Sequence, residues 1–600
     1  MKSIIFLLSN IFILQLSIQA QSDGTISWWN PAENSISVIE GQAWSQKLFS
    51  EYDRLPSRAK GKVANDVWNN SRHSAGLMIR FRSNASSINI RYQVRDRENY
   101  GMNHMPATGK SGVDLYAIDS DGDELWCKGQ RSFSDTITYA YNQLNPNDQY
   151  HQLGREYRLY LPLYNQVQWL EIGVSDSTYF EALPIRSAKP IVVYGTSIAH
   201  GACASRPGMA WTSVLSRSMD RPLINLGFSG SGRLEKPVID LIAEIEAKIF
   251  ILDCLPNLPV NAWEKNNIND GDEVKERIFK SVKILRSKHK FTPILLTEHA
   301  GYTEEYISNK RKSDFATVNQ IQKETFQELK NEGIQNLYYL TKEEIGLSMD
   351  AMVDGTHPTD LGMYQYAQAY EKKLRNILKE PNGNVSTTQP CTQAREPNNY
   401  IWEKRHREIL DLNKAEPPNT VILANSIIHF WGGQPSAKIA REPETWTDIL
   451  MPAGVRNQAY GWDRIENVLW RIYHGELAGF EAARIVLMIG TNNLHLNSNR
   501  EIIQGLDMLI EAIKIRQPKA QINIAGLLPR RNYEDRILQL NFEIARLAGE
   551  HSIEYADLGN ELLLDNLSIN ESLFSDGLHP NKAGYLMLRS GMTKLCRSTK

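Results

Sequence analysis

Residues 191–201 are IVVYGTSIAHG, and this stretch decides the fold of the region around it. An apolar run that ends at a glycine is typical of a strand buried on both faces of a parallel sheet. A helical pattern, MAWTSVLSRSM, follows it, and KIFILD, FTPILLT and IQNLYYLT repeat the strand pattern further along. The segments between these strands, VKERIFKSVKILRSKH and FATVNQIQKETFQELKNEG, have helical periodicity. Strands that alternate with helices predict a parallel sheet covered by helices on both faces.

The same alternation returns in the last third of the chain. TVILAN, ARIVLMIG, AQINIAGLLP and IEYADLG have the strand pattern, and EIIQGLDMLIEAIKIRQ is an amphipathic helix. A polar stretch rich in Pro and Asn, EPNGNVSTTQPCTQAREPNN, separates the two α/β segments and predicts a linker. Upstream, AGLMIRFRS, SSINIRYQV, GVDLYAID, EYRLYLPLY and VQWLEIGVS are short alternating runs. These runs predict a β-sandwich of the jelly-roll type.

The predicted fold is therefore multi-domain, with an amino-terminal β-sandwich (jelly roll) followed by two α/β/α domains. We place the sandwich at residues 22–186, the α/β domains at 187–379 and 401–600, and the linker at 380–400. Residues 1–20 combine an early lysine with an apolar stretch and small residues, which predicts a signal peptide cleaved after Ala20. The protein is then secreted or periplasmic. The alternative for residues 1–20 is a buried first strand or helix.

Composition excludes several classes of function. The chain has 600 residues, a formal net charge of −2 and 42 % hydrophobic residues, without a basic run, so we expect no nucleic acid partner. No apolar run after residue 20 is long enough for a membrane span. The five cysteines have neither a disulfide-framework nor a metal-ligand spacing, which predicts mostly unpaired thiols; the alternative is one disulfide bridge in an oxidising compartment. We expect no cofactor.

Polar residues follow successive strands of the first α/β domain. Ser197 comes just after IVVYG, Gly230 lies in INLGFSGSG, and Asn257 follows KIFILD. Ligands of open parallel sheets bind at this edge, although each residue alone also fits a helix cap or a turn. The domain ends with Asp354-Gly-Thr-His357-Pro, a loop that carries an imidazole and a carboxylate together. The ordered set is a more specific signal than any of its members.

This set has the chemistry of a nucleophilic hydrolase. We predict that His357 takes the proton of Ser197, and that Asp354 orients the imidazole and stabilises its charged form. The N–H groups of Ser197 and Gly230 and the amide of Asn257 are predicted to bind the oxyanion of a tetrahedral intermediate.

The order Ser, Gly, Asn and D-x-x-H, without a G-x-S-x-G elbow, resembles the SGNH (GDSL-type) hydrolase superfamily. YGTSIAHGACASRPGMAW and NLGFSGSGRLE are similar to a bacterial branch in which a β-sandwich precedes the hydrolase domain, and GMNHMPATGKSGVDLYA matches that sandwich. The resemblance covers residues 25–378 and implies a flavodoxin-like fold and a serine esterase without a metal. One departure is GTS in place of the usual GDS.

The second α/β domain resembles the same superfamily. VILANSIIHFWGG and IVLMIGTNN match its first and third blocks, and NQAYGWDRIENVLWRI resembles the second block of enzymes similar to platelet-activating-factor acetylhydrolases. The residues implied for this site are Ser426, Asn492, Asp576 and His579. GDS has become ANS here, and Trp462 stands at the block-two glycine with Gly461 before it, so we assign Gly461 and Trp462 as oxyanion donors. We predict an active site; the alternative is a degenerate domain kept for packing or binding.

Three aromatic or imidazole side chains are predicted to contact substrate: His104 at the first site, and Trp431 and Trp462 at the second. The alternatives are a surface histidine and core packing. The resemblance to bacterial carbohydrate esterases implies a secreted esterase with two separate sites, which removes acetyl groups from polysaccharides or oligosaccharides. Other hypotheses are a lipid, aryl or lysophospholipase-like esterase, and a glycan-binding scaffold with one or both hydrolase domains inactive.

Overall fold

The structure is a computed structural model that describes residues 25–146, 150, 154–258 and 271–597. The predicted signal peptide, residues 1–20, lies outside the described residues. The fold prediction is confirmed: two antiparallel sheets come first, and two parallel α/β sheets follow them along the chain.

The amino-terminal module is built from short strands. These are β1 (Ile26–Trp29), β2 (Ile39–Glu40), β3 (Met78–Ser83), β4 (Ile88–Val94), β5 (Asp114–Ile118), β6 (Glu124–Cys127), β7 (Gln130–Ser132), β8 (Ile137–Tyr141), β9 (Arg155–Tyr160), β10 (Val167–Ser175) and β11 (Phe180–Ala182), with helices α1 (Asn65–Ser71) and α2 (Ala107–Lys110). The sheet orders are β1-β10-β4-β8-β7 and β11-β3-β9-β5-β6, with β2 beside β3. Buried and half-buried residues alternate along β4, so every second side chain enters the core between the sheets.

The first α/β domain has a five-stranded parallel sheet of order β13-β12-β14-β15-β16. Its strands are β12 (Ile191–Gly195), β13 (Leu223–Gly227), β14 (Ile249–Asp253), β15 (Ile294–Thr297) and β16 (Leu337–Leu340). Its helices are α3 (Ser197–His200), α4 (Trp211–Ser218), α5 (Lys236–Ile242), α6 (Gly271–Lys288), α7 (Asn309–Asn331), α8 (Lys342–Ile345) and α9 (Asp360–Leu378). All residues of β12, β13 and β14 are buried, as expected for strands covered on both faces.

The second α/β domain repeats this topology with the order β18-β17-β19-β20-β21. Its strands are β17 (Thr420–Ala424), β18 (Val455–Ala459), β19 (Arg484–Met488), β20 (Gln521–Ala525) and β21 (Glu554–Ala556). Its helices are α10 (Trp402–Ala415), α11 (Ser426–His429), α12 (Ile465–Tyr473), α13 (Asn499–Arg516), α14 (Glu534–Glu550) and α15 (Lys582–Cys596). In both sheets the strand order reverses between the first strand and the third, which creates a crevice at their carboxyl ends.

The stretch predicted as a linker, residues 380–400, is packed between the domains. Glu380 is buried and accepts hydrogen bonds from Arg221 at 2.9 and 3.0 Å, and Gln393 and Arg395 are also buried. Several of its polar residues therefore have protein partners rather than solvent.

All five cysteines are unpaired, as predicted for most of them. Within the described residues, no helix is long and apolar enough to cross a bilayer.

Candidate active sites

Each sheet presents a serine and an asparagine at equivalent places in its crevice. Ser197 and Ser426 each lie two residues beyond the end of the first strand, β12 or β17, and open a short helix. Asn257 and Asn492 each lie four residues beyond the end of the third strand, β14 or β19, within a 3-10 turn. The two domains therefore position these side chains by the same strand register.

The first site contains a continuous hydrogen-bonded chain. Ser197 Oγ lies 2.8 Å from His357 Nε2, and His357 Nδ1 lies 2.8 Å from Asp354 Oδ2. The other carboxylate oxygen, Oδ1, accepts from the backbone N–H groups of His357 and Thr356 at 2.8 and 3.1 Å. The D-G-x-H spacing thus lets one tight loop fix the carboxylate and the ring together. Partial burial raises the pKa of Asp354, but the hydrogen bonds from His357 and the backbone outweigh it, so the pKa is lowered.

The Gly-rich turn and Asn257 lie on the other side of Ser197. Gly230 has φ +67°, a left-handed conformation that glycine adopts at little cost, and the space where a Cβ would lie is open. With its side-chain oxygen toward the turn, Asn257 accepts from the N–H groups of Ser231 and Gly232, at 3.1 Å each. The opposite orientation would place an NH2 group against two donors, so the amide nitrogen points away from the turn.

The amino-terminal module forms one wall of the first site. The exposed His104 ring lies near the ring of His357, with 6.0 Å between their centroids. The nitrogen, sulfur and oxygen atoms of His104, Cys203 and Asp354 lie within 4.8 Å of one another. Burial raises the pKa of Cys203 to about 12, with Asp354 adding to the effect, so this thiol stays protonated at neutral pH.

The second site repeats the chain of hydrogen bonds. Ser426 Oγ lies 2.9 Å from His579 Nε2, and His579 Nδ1 lies 2.7 Å from Asp576 Oδ2. Asp576 Oδ1 accepts from the backbone N–H of His579 at 2.7 Å and from that of Leu578 at 3.0 Å. The serine and histidine are 153 residues apart in sequence, against 160 in the first site. Burial lowers the pKa of His579, Asp576 opposes this shift, and Arg441 and Arg530 add to it.

The structure corrects one predicted oxyanion donor of the second site. The N–H of Gly461 donates to Nδ1 of the buried His429 at 2.9 Å, so it is already used. Trp462, three residues beyond β18, occupies the position that Gly230 has beyond β13, and its φ of +60° is close to the +67° of Gly230. A tryptophan has therefore taken a glycine-like backbone conformation, which costs about 1–2 kcal/mol.

Asn492 and the two tryptophans differ in their access to ligand. Asn492 Nδ2 donates to the backbone oxygen of Asp463 at 3.0 Å, and its second N–H remains for another acceptor. Trp462 is 36 % exposed and contacts Tyr150 of the amino-terminal module edge to face, at 5.6 Å. Trp431 is 0 % exposed, and its Nε1 donates to Glu442 at 2.8 Å. The prediction that Trp431 stacks on substrate is therefore wrong, because its ring belongs to the core.

Two buried arginines that the sequence did not indicate hold the second strand of each sheet. Arg54 donates to the backbone oxygens of Asn225 and Gly227, at 3.0 and 2.9 Å. Arg405 donates to the equivalent oxygens of Asn457 and Ala459, at 3.3 and 3.0 Å. Each guanidinium also lies 5.2 Å from the centre of the following aromatic ring, Phe228 or Tyr460. These contacts fix the turns that carry Gly230 and Trp462.

The origin of the two arginines differs. Arg54 belongs to the amino-terminal module, whereas Arg405 lies on α10 of the second domain itself. The module also reaches the first Gly-rich turn through Asn70, whose Nδ2 donates to Ser229 O at 2.9 Å and Ser231 Oγ at 3.0 Å. A single arginine or asparagine that is distant in sequence from the turn it contacts carries no sequence signal for such a role.

Comparison with known proteins identifies the class of these domains. The sequence profile of the GDSL-like lipase/acylhydrolase family matches residues 188–375, and a second profile of that family matches residues 422–587. Residues 26–180 match the amino-terminal module of SGNH-hydrolase-type esterases. The chain belongs to the GDSL/SGNH hydrolase family and contains two of its domains, which supports an esterase.

Individual relatives agree with this assignment. A GDSL-like lipase structure from Bacteroides ovatus is 31 % identical, with a TM-score of 0.52, and the match covers 59 % of this chain and 98 % of that one. Human platelet-activating factor acetylhydrolase IB subunit alpha1 is 25 % identical over 202 residues, which are 33 % of this chain and 80 % of the relative. The human subunit alpha2 is 30 % identical over 165 residues, 27 % of this chain and 66 % of the relative.

Proposed function

We propose that the protein is a serine esterase with two independent Ser-His-Asp sites, which removes acetyl groups from polysaccharides or oligosaccharides. The observation that carries this proposal is the unbroken chain from serine Oγ through histidine to aspartate in both domains, with each link between 2.7 and 2.9 Å. Packing alone would not require the Ser-His-Asp hydrogen bonds to be intact in both domains.

The geometry supports one reaction sequence. His357 or His579 accepts the serine proton as Oγ attacks the ester carbonyl, and the aspartate stabilises the imidazolium. The asparagine amide and the backbone N–H of Gly230 or Trp462 donate to the oxyanion. The histidine then protonates the leaving alcohol, which leaves an acyl-enzyme. Water attacks the acyl carbonyl while the same histidine nitrogen accepts a proton from that water. Collapse of the second intermediate releases the carboxylic acid and restores serine.

The substrate proposal has two supports. Relatives named acetylhydrolases support acetyl as the acyl group. The exposed face of Trp462, three residues beyond β18, suits stacking against a sugar ring. A short-chain lipid ester is the competing substrate.

We also propose that the protein is exported, because residues 1–20 have the composition of a signal peptide. Amino-terminal sequencing of the protein from its native host should begin near Gln21. A mature chain that starts at Met1 contradicts export.

Acetate release tests the esterase proposal. Wild type, Ser197→Ala, Ser426→Ala and the double variant are assayed on acetylated xylan, acetylated pectin, p-nitrophenyl acetate and an acetylated ether phospholipid. We expect each single variant to lose part of the activity and the double variant to lose at least about 10³-fold. Ser287→Ala, an exposed serine on α6, is the control and should match wild type.

Several outcomes contradict parts of the proposal. If the double variant is as active as wild type, the proposed serine mechanism is wrong. One single variant that loses all activity on every substrate makes the other domain inactive. Acetate release from the phospholipid alone would mean that the substrate is a lipid ester rather than a glycan.

A further inference from the structure

The loop after the fourth strand of each α/β sheet borders the D-G-x-H-P loop of its site. The N–H of Thr303 donates to Gly355 O at 3.3 Å, and the N–H of Arg531 donates to Gly577 O at 2.8 Å. Gly355 and Gly577 have the same left-handed conformation, with φ of +82° and +80°. Thr303 and Arg531 are therefore equivalent, and so are their neighbours.

Equivalent positions in these loops differ in charge. The first domain has Tyr302-Thr303-Glu304, and the second has Arg530-Arg531-Asn532. A Cβ built on Gly355 would lie 2.9 Å from a carboxylate oxygen of Glu304, whereas one on Gly577 would lie 2.6 Å from the guanidinium carbon of Arg531. An acidic group thus lies against the histidine loop of the first site, and a cationic group lies against that of the second.

Two further guanidinium groups are attached beside catalytic residues of the second site. Arg530 donates to the backbone oxygen of Thr491 at 2.9 Å, next to Asn492. Arg441 donates to Ser575 Oγ at 2.7 Å and to Pro580 O at 3.2 Å, on either side of the Asp576–His579 loop. Both arginines are half-buried. One is therefore attached next to the asparagine of the site and the other next to its histidine loop.

These two cations lack an internal counter-charge. Arg531 pairs with Glu571 at 2.6 Å, but among the described residues neither Arg441 nor Arg530 has a carboxylate within 4.0 Å. The oxygens of Asp576 already accept from His579 and the backbone. Half-burying a cation without an anion costs free energy, and a bound anion would recover it.

We propose that the second site selects acyl esters on a carboxylate-bearing carrier, such as a uronic-acid glycan, whereas the first site acts on neutral carriers. This inference rests on the proposed esterase function. The sugar ring would lie against Trp462, and its carboxylate would accept hydrogen bonds from Arg530, Arg441 or both. Guanidinium groups suit this role because they bind carboxylates through paired N–H donors.

Binding to a chain without nucleophiles tests the inference apart from catalysis. The Ser197→Ala/Ser426→Ala variant is titrated calorimetrically with acetylated oligogalacturonate and with acetylated xylo-oligosaccharide of equal length. We expect the second site to bind the acidic ligand at least about tenfold more tightly than the neutral one, with an advantage that shrinks as salt increases. Adding Arg530→Gln and Arg441→Gln should remove the advantage. Arg311→Gln, the partner of Glu304 at the first site, is the matched control and should preserve it.

A kinetic arm separates this inference from the proposed function. The Ser197→Ala variant retains only the serine of the second site. The kcat/KM of this variant is measured on both acetylated glycans and on p-nitrophenyl acetate. No release from any ester contradicts the esterase proposal at this site, while the binding arm still decides the charge preference. Equal affinity of the second site for both glycans overturns the inference. So does an acidic preference that survives both arginine substitutions, or an equal loss of affinity for neutral and acidic ligands.

Discussion

The two α/β domains have the same sheet and the same hydrogen-bonded chain, but they complete their sites differently. The first obtains Arg54 and Asn70 from the amino-terminal module, whereas the second obtains the equivalent arginine, Arg405, from its own helix α10. The module is therefore a structural part of the first site rather than an appended binding domain.

The second domain has its own external support, which acts on the Trp462 turn. Gln393 Nε2 donates to Gly461 O at 2.9 Å, and Arg395 donates to Trp462 O at 3.1 Å. Asp121 of the module accepts from Arg395 at 2.6 Å and from Arg464 at 2.9 Å. These contacts hold a tryptophan in a backbone conformation that it disfavours, so the interdomain stretch contributes to the site.

The two asparagines proposed as oxyanion donors provide the largest expected effect. Asn257 comes from CLPN and Asn492 from the more specific GTNN, yet both occupy the same register. If the proposed role holds, replacing either with alanine removes one oxyanion donor, so kcat of its own site should fall about 10²–10³-fold. The measurement is kcat on p-nitrophenyl acetate, with the other site's serine changed to alanine. A small loss for Asn257→Ala beside a large one for Asn492→Ala would show that equal register does not mean equal role.

The next largest effect is expected for the buried arginines Arg54 and Arg405, which hold the second strand of each sheet. Arg54→Ala leaves the backbone oxygens of Asn225 and Gly227 without their donor, so we expect the first domain to lose on the order of 3 kcal/mol of stability. Its kcat should fall because the Gly230 turn is no longer fixed, while the second site keeps its rate. Arg405→Ala should produce the opposite pattern. Thermal unfolding and single-site kinetics measure both effects, and equal damage to both sites by Arg54→Ala would contradict a local brace.

Sequence patterns predicted the sheets and the serines, asparagines and D-x-x-H pairs, because these features depend on local periodicity and on fixed offsets from strand ends. Arg54 and Arg405 were missed because their contacts join residues far apart in sequence. Gly461 was assigned as a donor because a sequence cannot show that its N–H already bonds to His429. Trp431 was assigned to substrate because proximity to Ser426 in sequence does not reveal which face of the turn enters the core. The polar composition of residues 380–400 predicted a linker but could not show that several of these side chains are buried with partners.

Trp462 provides a smaller and more selective effect. Trp462→Gly removes the exposed ring and the left-handed strain together, so we expect KM for an acetylated oligosaccharide to rise roughly fivefold, as for the loss of one aromatic contact. Turnover of p-nitrophenyl acetate should change less, because that ester has no sugar to stack. Trp462→Phe should restore part of the affinity. An equal change in KM for both substrates would mean that the ring acts through the turn rather than through sugar.

The smallest expected effect is on the pH dependence of the second site. Burial, Arg441 and Arg530 lower the pKa of His579, so its ring stays neutral, and able to accept the serine proton, below the ordinary histidine value of 6.5. The acid limb of kcat/KM for Ser197→Ala should therefore have its midpoint below pH 6.5. Arg441→Gln removes a neighbouring positive charge, which makes protonation easier and should move the midpoint upward. Arg546→Gln, on the exposed face of α14, should leave it unchanged. A midpoint that does not move with Arg441→Gln would mean that desolvation alone sets the pKa, and that the cations act only on substrate.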